Sequence, residues 1–108
     1  MGTDTVSHTV SPRGPMPSGH VAYRTIGPFD AASLPAGLRA EHRLKPGAWA
    51  LLSLTEGALR FVWDDATGGA EDLVAPATLV VPEQVPHHVE GDGPFAVTIT
   101  FHRADSAA

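Results

Sequence analysis

Six histidines and no cysteine set the chemistry open to this chain: imidazoles and carboxylates are available as metal ligands or proton carriers, thiolates are not. The densest stretch is Val81-Pro82-Glu83-Gln84-Val85-Pro86-His87-His88-Val89-Glu90. It reads as a strand, a proline-bounded turn and a second strand that opens on a histidine pair. Side chains alternate across a strand, so Val85, His87 and Val89 share one face while His88 and Glu90 share the other. His87 is thereby directed into an apolar interior. His42 receives the same assignment, because Leu38, Ala40, His42 and Leu44 alternate with Arg39, Glu41, Arg43 and Lys45, a charge at every outward position. Two neutral imidazoles from separate strands, with Glu83 across the turn from His87, match the preferences of zinc, iron, nickel or manganese. A three-ligand set of His42, His87 and Glu83 leaves positions open for water or substrate. The competing reading makes His42 and His87 core histidines bonded to backbone or to each other, and spacing alone leaves both open. His8, His20, His88 and His102 are expected at the surface.

The elements that must position these residues are short. Ten prolines and eleven glycines punctuate apolar runs every few residues, which predicts an all-β sandwich or barrel. Strands are expected over 21–26, 37–44, 48–55, 58–63, 77–81, 87–90 and 95–102. Glu56-Gly57 is read as a hairpin turn, with Gly57 free to take a positive φ. Leu59, Phe61 and Trp63 form one inward row; Val97, Ile99 and Phe101 form another. Asp30 is placed to cap a helical turn over 29–35. The acidic run 64–72 is expected as an exposed loop without the spacing of a calcium loop. Residues 1–19 read as a flexible arm, 20–103 as a single domain and 104–108 as a disordered tail.

Composition narrows the function. A net charge of −5 with a single lysine, Lys45, argues against nucleic acid or an anionic membrane as partner. No apolar run reaches the ~18 residues of a membrane-spanning helix, so a cytoplasmic protein is expected. Neither Ser33 nor Ser53 has an acid–histidine partner arrangement for nucleophilic catalysis, and no glycine-rich phosphate loop leads into a helix.

Two stretches, Ser33-Leu34-Pro35-Ala36-Gly37-Leu38-Arg39-Ala40-Glu41-His42-Arg43-Leu44-Lys45-Pro46-Gly47-Ala48-Trp49 and Leu54-Thr55-Glu56-Gly57-Ala58-Leu59-Arg60-Phe61, resemble the small cupin-like domain of the tellurite-resistance protein B type. The run from Pro82 to Glu90 resembles it too, and together the likeness spans roughly residues 16–103. It implies a cupin double-stranded β-helix. In the wider superfamily the second motif reads Pro-x-Gly-x-x-His; Pro82 and His87 fall on its proline and histidine, and Gln84 replaces its glycine. Of the first motif, Gly57 fits the last glycine and His42 lies near the first histidine, while the glutamate position falls at Trp49-Ala50. These 108 residues hold no counterpart of the methyltransferase that follows this domain in some relatives, so methyl transfer is not expected of them.

The resemblance and the residues together imply a module that holds a divalent metal, a small molecule or an oxyanion in its barrel, with a link to tellurite or chemical stress. Trp49 and Phe61 are expected to wall the pocket. A metal-dependent cupin enzyme and an inert interaction domain are the alternatives. A homodimer paired along an exposed edge such as 21–26 is the expected assembly.

Overall fold

The computed structural model describes residues 8–105; the outermost parts of the expected arm and tail, 1–7 and 106–108, lie outside the described residues. The described residues form seven strands, β1 (His8–Val10), β2 (His20–Phe29), β3 (Trp49–Trp63), β4 (Ala70–Val74), β5 (Ala77–Val81), β6 (His87–Glu90) and β7 (Phe95–Ala104), with a single helical turn, α1 (Ala36–Arg39). The all-β expectation holds. Strand order along the main path is β1-β5-β3-β7-β2. The parallel β1–β5 pair makes the sheet mixed, and the path ends at β1 and β2 without closing.

β3 organises everything else. Its first half pairs with β5 and β7, and its second half with β4 and β6. The two halves bury opposite parities: Ala50, Leu52 and Leu54 point inward, then Leu59, Phe61 and Trp63. The switch occurs at a bulge against β7, where Leu54 faces Val97 and Glu56 faces Ala96, leaving Thr55 as an extra residue. Gly57 follows at φ +74, and a Cβ there would lie 1.9 Å from Pro94 O. Glu56-Gly57 is therefore no hairpin. Its glycine serves close backbone approach inside one continuous strand, a use that turn chemistry mimics.

Inward rows from both halves meet in one core, with Phe61, Leu54, Leu79 and Val97 fully buried. Each such side chain contributes about 1.5–3 kcal/mol. The expected rows Leu59/Phe61/Trp63 and Val97/Ile99/Phe101 do face this core.

Several expected elements differ. The 37–44 strand is absent. Pro35 precedes the turn α1, and only His42 makes a bridge. Leu38, His42 and Leu44 still turn inward, but Ala40 is exposed and Arg39 is half-buried, donating to Gly91 O and Ala31 O. The acidic run is only partly loop: residues 70–74 form β4, while Asp64 and Asp65 are half-buried. Within the expected arm, residues 8–10 form β1 against β5, and Arg13 lies 4.6 Å over the Trp63 ring while its guanidinium binds the Asp65 carboxylate and Gly68 O. The turn after β2 is as expected, with Asp30 Oδ1 accepting from the backbone of Ala32 and Ser33. Among the described residues no helix is long and apolar enough to cross a membrane.

Candidate functional site

The turn over 82–86 and the segment over 42–47 run beside each other, and this contact creates the site. Gln84 N donates to Leu44 O at 3.0 Å, and Gly47 N donates to Glu83 Oε1 at 2.7 Å. The backbones of His42 and His87 then bond in both directions, at 2.9 and 2.8 Å. Gln84 takes φ +61, the left-handed conformation that the motif's glycine would adopt without strain. β6 begins at His87 and pairs with the end of β3, Trp63 opposite His87 and Phe61 opposite Val89.

The two inward histidines meet. Their rings stand edge-to-face with centroids 4.2 Å apart, and Phe61 stacks on His87 at 4.8 Å. His87 Nδ1 lies 2.8 Å from Val85 O and His42 Nδ1 lies 3.1 Å from Ala40 O. A carbonyl oxygen only accepts, so each Nδ1 carries its proton and donates, and the neutral ring keeps its lone pair on Nε2. Among the described residues neither Nε2 has a hydrogen-bond partner. His87 is 3% exposed. Burial pushes its pKa down to about 4, against the smaller opposing pull of Val85 O, so it is neutral at pH 7.

Both rings line a cavity of about 30 Å³ whose other walls are apolar, among them Leu44, Leu52, Phe61 and Phe101. That is room for one or two waters or an ion, and far below the several hundred Å³ of a typical metabolite pocket. Phe61 lines it. Trp49 does not: it precedes the β3 bulge, so it falls outside while Ala50 faces in, and its ring packs edge-on to His20 at 6.2 Å. Alternation within the first half of β3 carried that signal. Glu83 is not brought to the histidines; its carboxylate is engaged by Gly47 N. Among the described residues no three of His, Cys, Asp or Glu form a group able to hold a metal ion.

His88, on the opposite face of β6, lives in a contrasting environment. Its Nδ1 lies 2.7 Å from Asp64 and its Nε2 2.8 Å from Glu90. Two carboxylates each require a donated hydrogen, and these bonds, Asp64's first, raise the His88 pKa. Its side chain is 19% exposed, so it is an anchored ion-pair residue rather than a free surface histidine. His20 and His102 are half-buried, and the side chain of His8 lies outside the described set.

A family model, the TehB-like domain, matches residues 24–99, a span that contains His42, Glu83, His87 and nearly all of the cavity wall. The chain belongs to the TehB-like domain family. Two solved structures share its fold. A protein from E. coli (strain K12) superposes with a TM-score of 0.76 at 21% identity, over 85% of this chain and 98% of its own. TehB from Haemophilus influenzae superposes with a TM-score of 0.73 at 21% identity, over 82% of this chain and 33% of its own. This TehB-like domain thus corresponds to about a third of TehB's length, and at such identity both likenesses concern the fold alone. No curated protein matches the chain.

Proposed function

We propose that this TehB-like domain is a binding module with a cupin-type interior, in which His42 and His87 hold a divalent ion such as zinc, iron, nickel or manganese. The observation that carries this reading is the commitment of both Nδ1–H groups to backbone carbonyls, which leaves two imidazole lone pairs at one cavity. A backbone carbonyl that fixes the tautomer and ring orientation is the usual support of a ligating histidine. The residues present fit such an ion only in part: two protein donors are at hand, and one oxygen of Glu83 is already engaged by Gly47 N. Water or a small ligand therefore completes coordination in this reading.

Binding is favoured over catalysis because the cavity offers no acid or base beyond the two imidazoles and no room for a metabolite. The neutral state of His87 favours an electron-pair acceptor over an anion such as tellurite at this pair. Family membership is what ties the module to tellurite or chemical stress. A homodimer along the outer edge of β2, where Val21 is exposed, belongs to the same reading.

Elemental analysis of protein purified without an affinity tag, before and after reconstitution, tests it. Near-stoichiometric metal is expected in the native chain and in His88→Ala, and its loss in His42→Ala/His87→Ala. An absence of metal after reconstitution, or its loss in His88→Ala alone, overturns the reading.

A further inference from the structure

The seven lysines and arginines of this acidic chain are not spread evenly. Arg13 is paired with Asp65, Arg60 with Asp72, and Arg39 donates to two backbone carbonyls. The remaining four, Arg24, Arg43, Lys45 and Arg103, make no ion pair among the described residues. All four line two adjoining grooves that share Tyr23, Lys45 and Ala48. They come together from distant parts of the chain: Arg24 on β2, Arg103 on β7, and Arg43 and Lys45 from the segment that carries His42. Arg103 lies 4.6 Å over the Tyr23 ring, a cation–π contact that positions its guanidinium at the groove. Of the carboxylates beside this segment, Glu83 is engaged by Gly47 N, and Glu41 stands exposed two residues before Arg43.

Like charges gathered in one place repel, and a chain of net charge −5 has carboxylates to spare for them. Gathered without an ion pair among the described residues, the four leave a local positive field at a concave surface, where field lines are focused. Each groove is an open surface concavity of about 300 Å³, at the lower end of small-molecule sites. Leu44 and Phe101 line both this surface and the histidine cavity, so the basic grooves lie immediately beyond the cavity's outer wall.

We propose that the Tyr23–Arg24–Arg43–Lys45–Arg103 surface binds a small molecule bearing two or more oxyanion groups. Arginine forks pair with phosphate or carboxylate through two parallel hydrogen bonds, and Lys45 adds a point charge. The site is separate from the imidazole pair and does not require a metal.

Calorimetric titration with inorganic pyrophosphate and with citrate tests the proposal and distinguishes phosphate from carboxylate as the preferred group. Binding is expected for at least one probe, weakening as salt rises. It should fall about tenfold or more in Arg43→Gln/Arg103→Gln, which removes two charge-assisted contacts at exposed positions. It should persist in His42→Ala/His87→Ala and in Arg60→Gln, a change at a paired arginine elsewhere. No binding of either probe at millimolar concentration overturns the proposal. So does affinity that survives Arg43→Gln/Arg103→Gln, or affinity lost only in the histidine variant. Tighter binding of a short single-stranded oligonucleotide than of either probe would replace it with a nucleic-acid surface.

Discussion

His42 and His87 are joined twice through their main chains and once through their rings, at a centroid separation of 4.2 Å. The pair is thus fixed by backbone as much as by packing. Replacing either imidazole removes a donor without removing the bridge that holds the two segments together. Loss of ligand binding in His42→Ala should therefore come without loss of fold, and circular dichroism alongside the metal measurement separates the two.

His87 makes the metal-free protein acid-sensitive. Its pKa is about 4 when folded against 6.5 when unfolded, so the unfolded chain takes up the proton first. Stability is whole above pH 6.5 and is lost as pH falls toward 4, a swing of about 3 kcal/mol. His88 has the opposite sign: its raised pKa adds stability that is present below its unfolded value and lost as pH rises through its folded value. Urea unfolding in chelator near pH 7.5 and near pH 4.5 should show an acid loss smaller by roughly 2–3 kcal/mol in His87→Phe, and a steeper loss in His88→Gln. Equal acid losses in the native chain and His87→Phe would mean that His87 is not held neutral.

Gly57→Ala should be among the most damaging single-methyl changes in the chain. The added Cβ meets the carbonyl of Pro94, a backbone atom that cannot swing aside, at a φ of +74. A cost of roughly 2–4 kcal/mol follows from strain and overpacking together. Gly14→Ala, at φ +100 with open space around it, carries only the conformational part. Unfolding midpoints that fall equally for both would show that the Pro94 approach is not limiting.

Gln84→Gly should leave the protein as stable or raise its stability by up to about 1 kcal/mol, because a left-handed residue loses its Cβ penalty. Gln84→Val should lower it, since a β-branched side chain resists φ +61. A lower midpoint for the glycine variant would assign the Gln84 side chain a role that its exposed position does not indicate.

Arg13→Ala should lower the melting temperature by a few degrees, because one side chain covers Trp63, binds the half-buried Asp65 and reaches Gly68 O. Arg60→Ala should leave it unchanged: both members of its pair with Asp72 are more than half exposed. Faster amide exchange over 8–19 in Arg13→Ala would locate the effect at the N-terminal segment.

Period-two alternation made much of the interior legible before any coordinates. It found the rows through Phe61 and Ile99 and turned both His42 and His87 inward. It failed where a local signal had two physical meanings. Glu56-Gly57 carries turn chemistry, yet Gly57 serves a bulge inside a strand because Pro94 passes too close for a Cβ. The acidic stretch of β4 reads as loop because only Leu73 of its five residues is buried. Charges alternating around His42 imitate a strand, although Pro35 and the turn α1 leave only one bridge there. Proximity across the fold was out of reach: nothing in the spacing tells that Glu83 meets Gly47, or that Arg24 shares a groove with Arg43 while Arg103 lines the adjoining one.

The sharing of β3 between both halves of the sheet governs how the molecule comes apart. Neither half owns a complete set of strands, because one continuous strand of fifteen residues runs from one half into the other. A fragment that omits β3 has no strand partner for β4 or β6, and one that ends before β7 leaves one edge of the first half of β3 unpaired. Unfolding should then be a single cooperative event, and the expected sign is that amides of β5 and β6 exchange with similar free energies although they lie on different halves. Folding must bring β3 together with strands as distant along the chain as Phe95–Ala104 before any of them is secure, which sets a slow, non-local search.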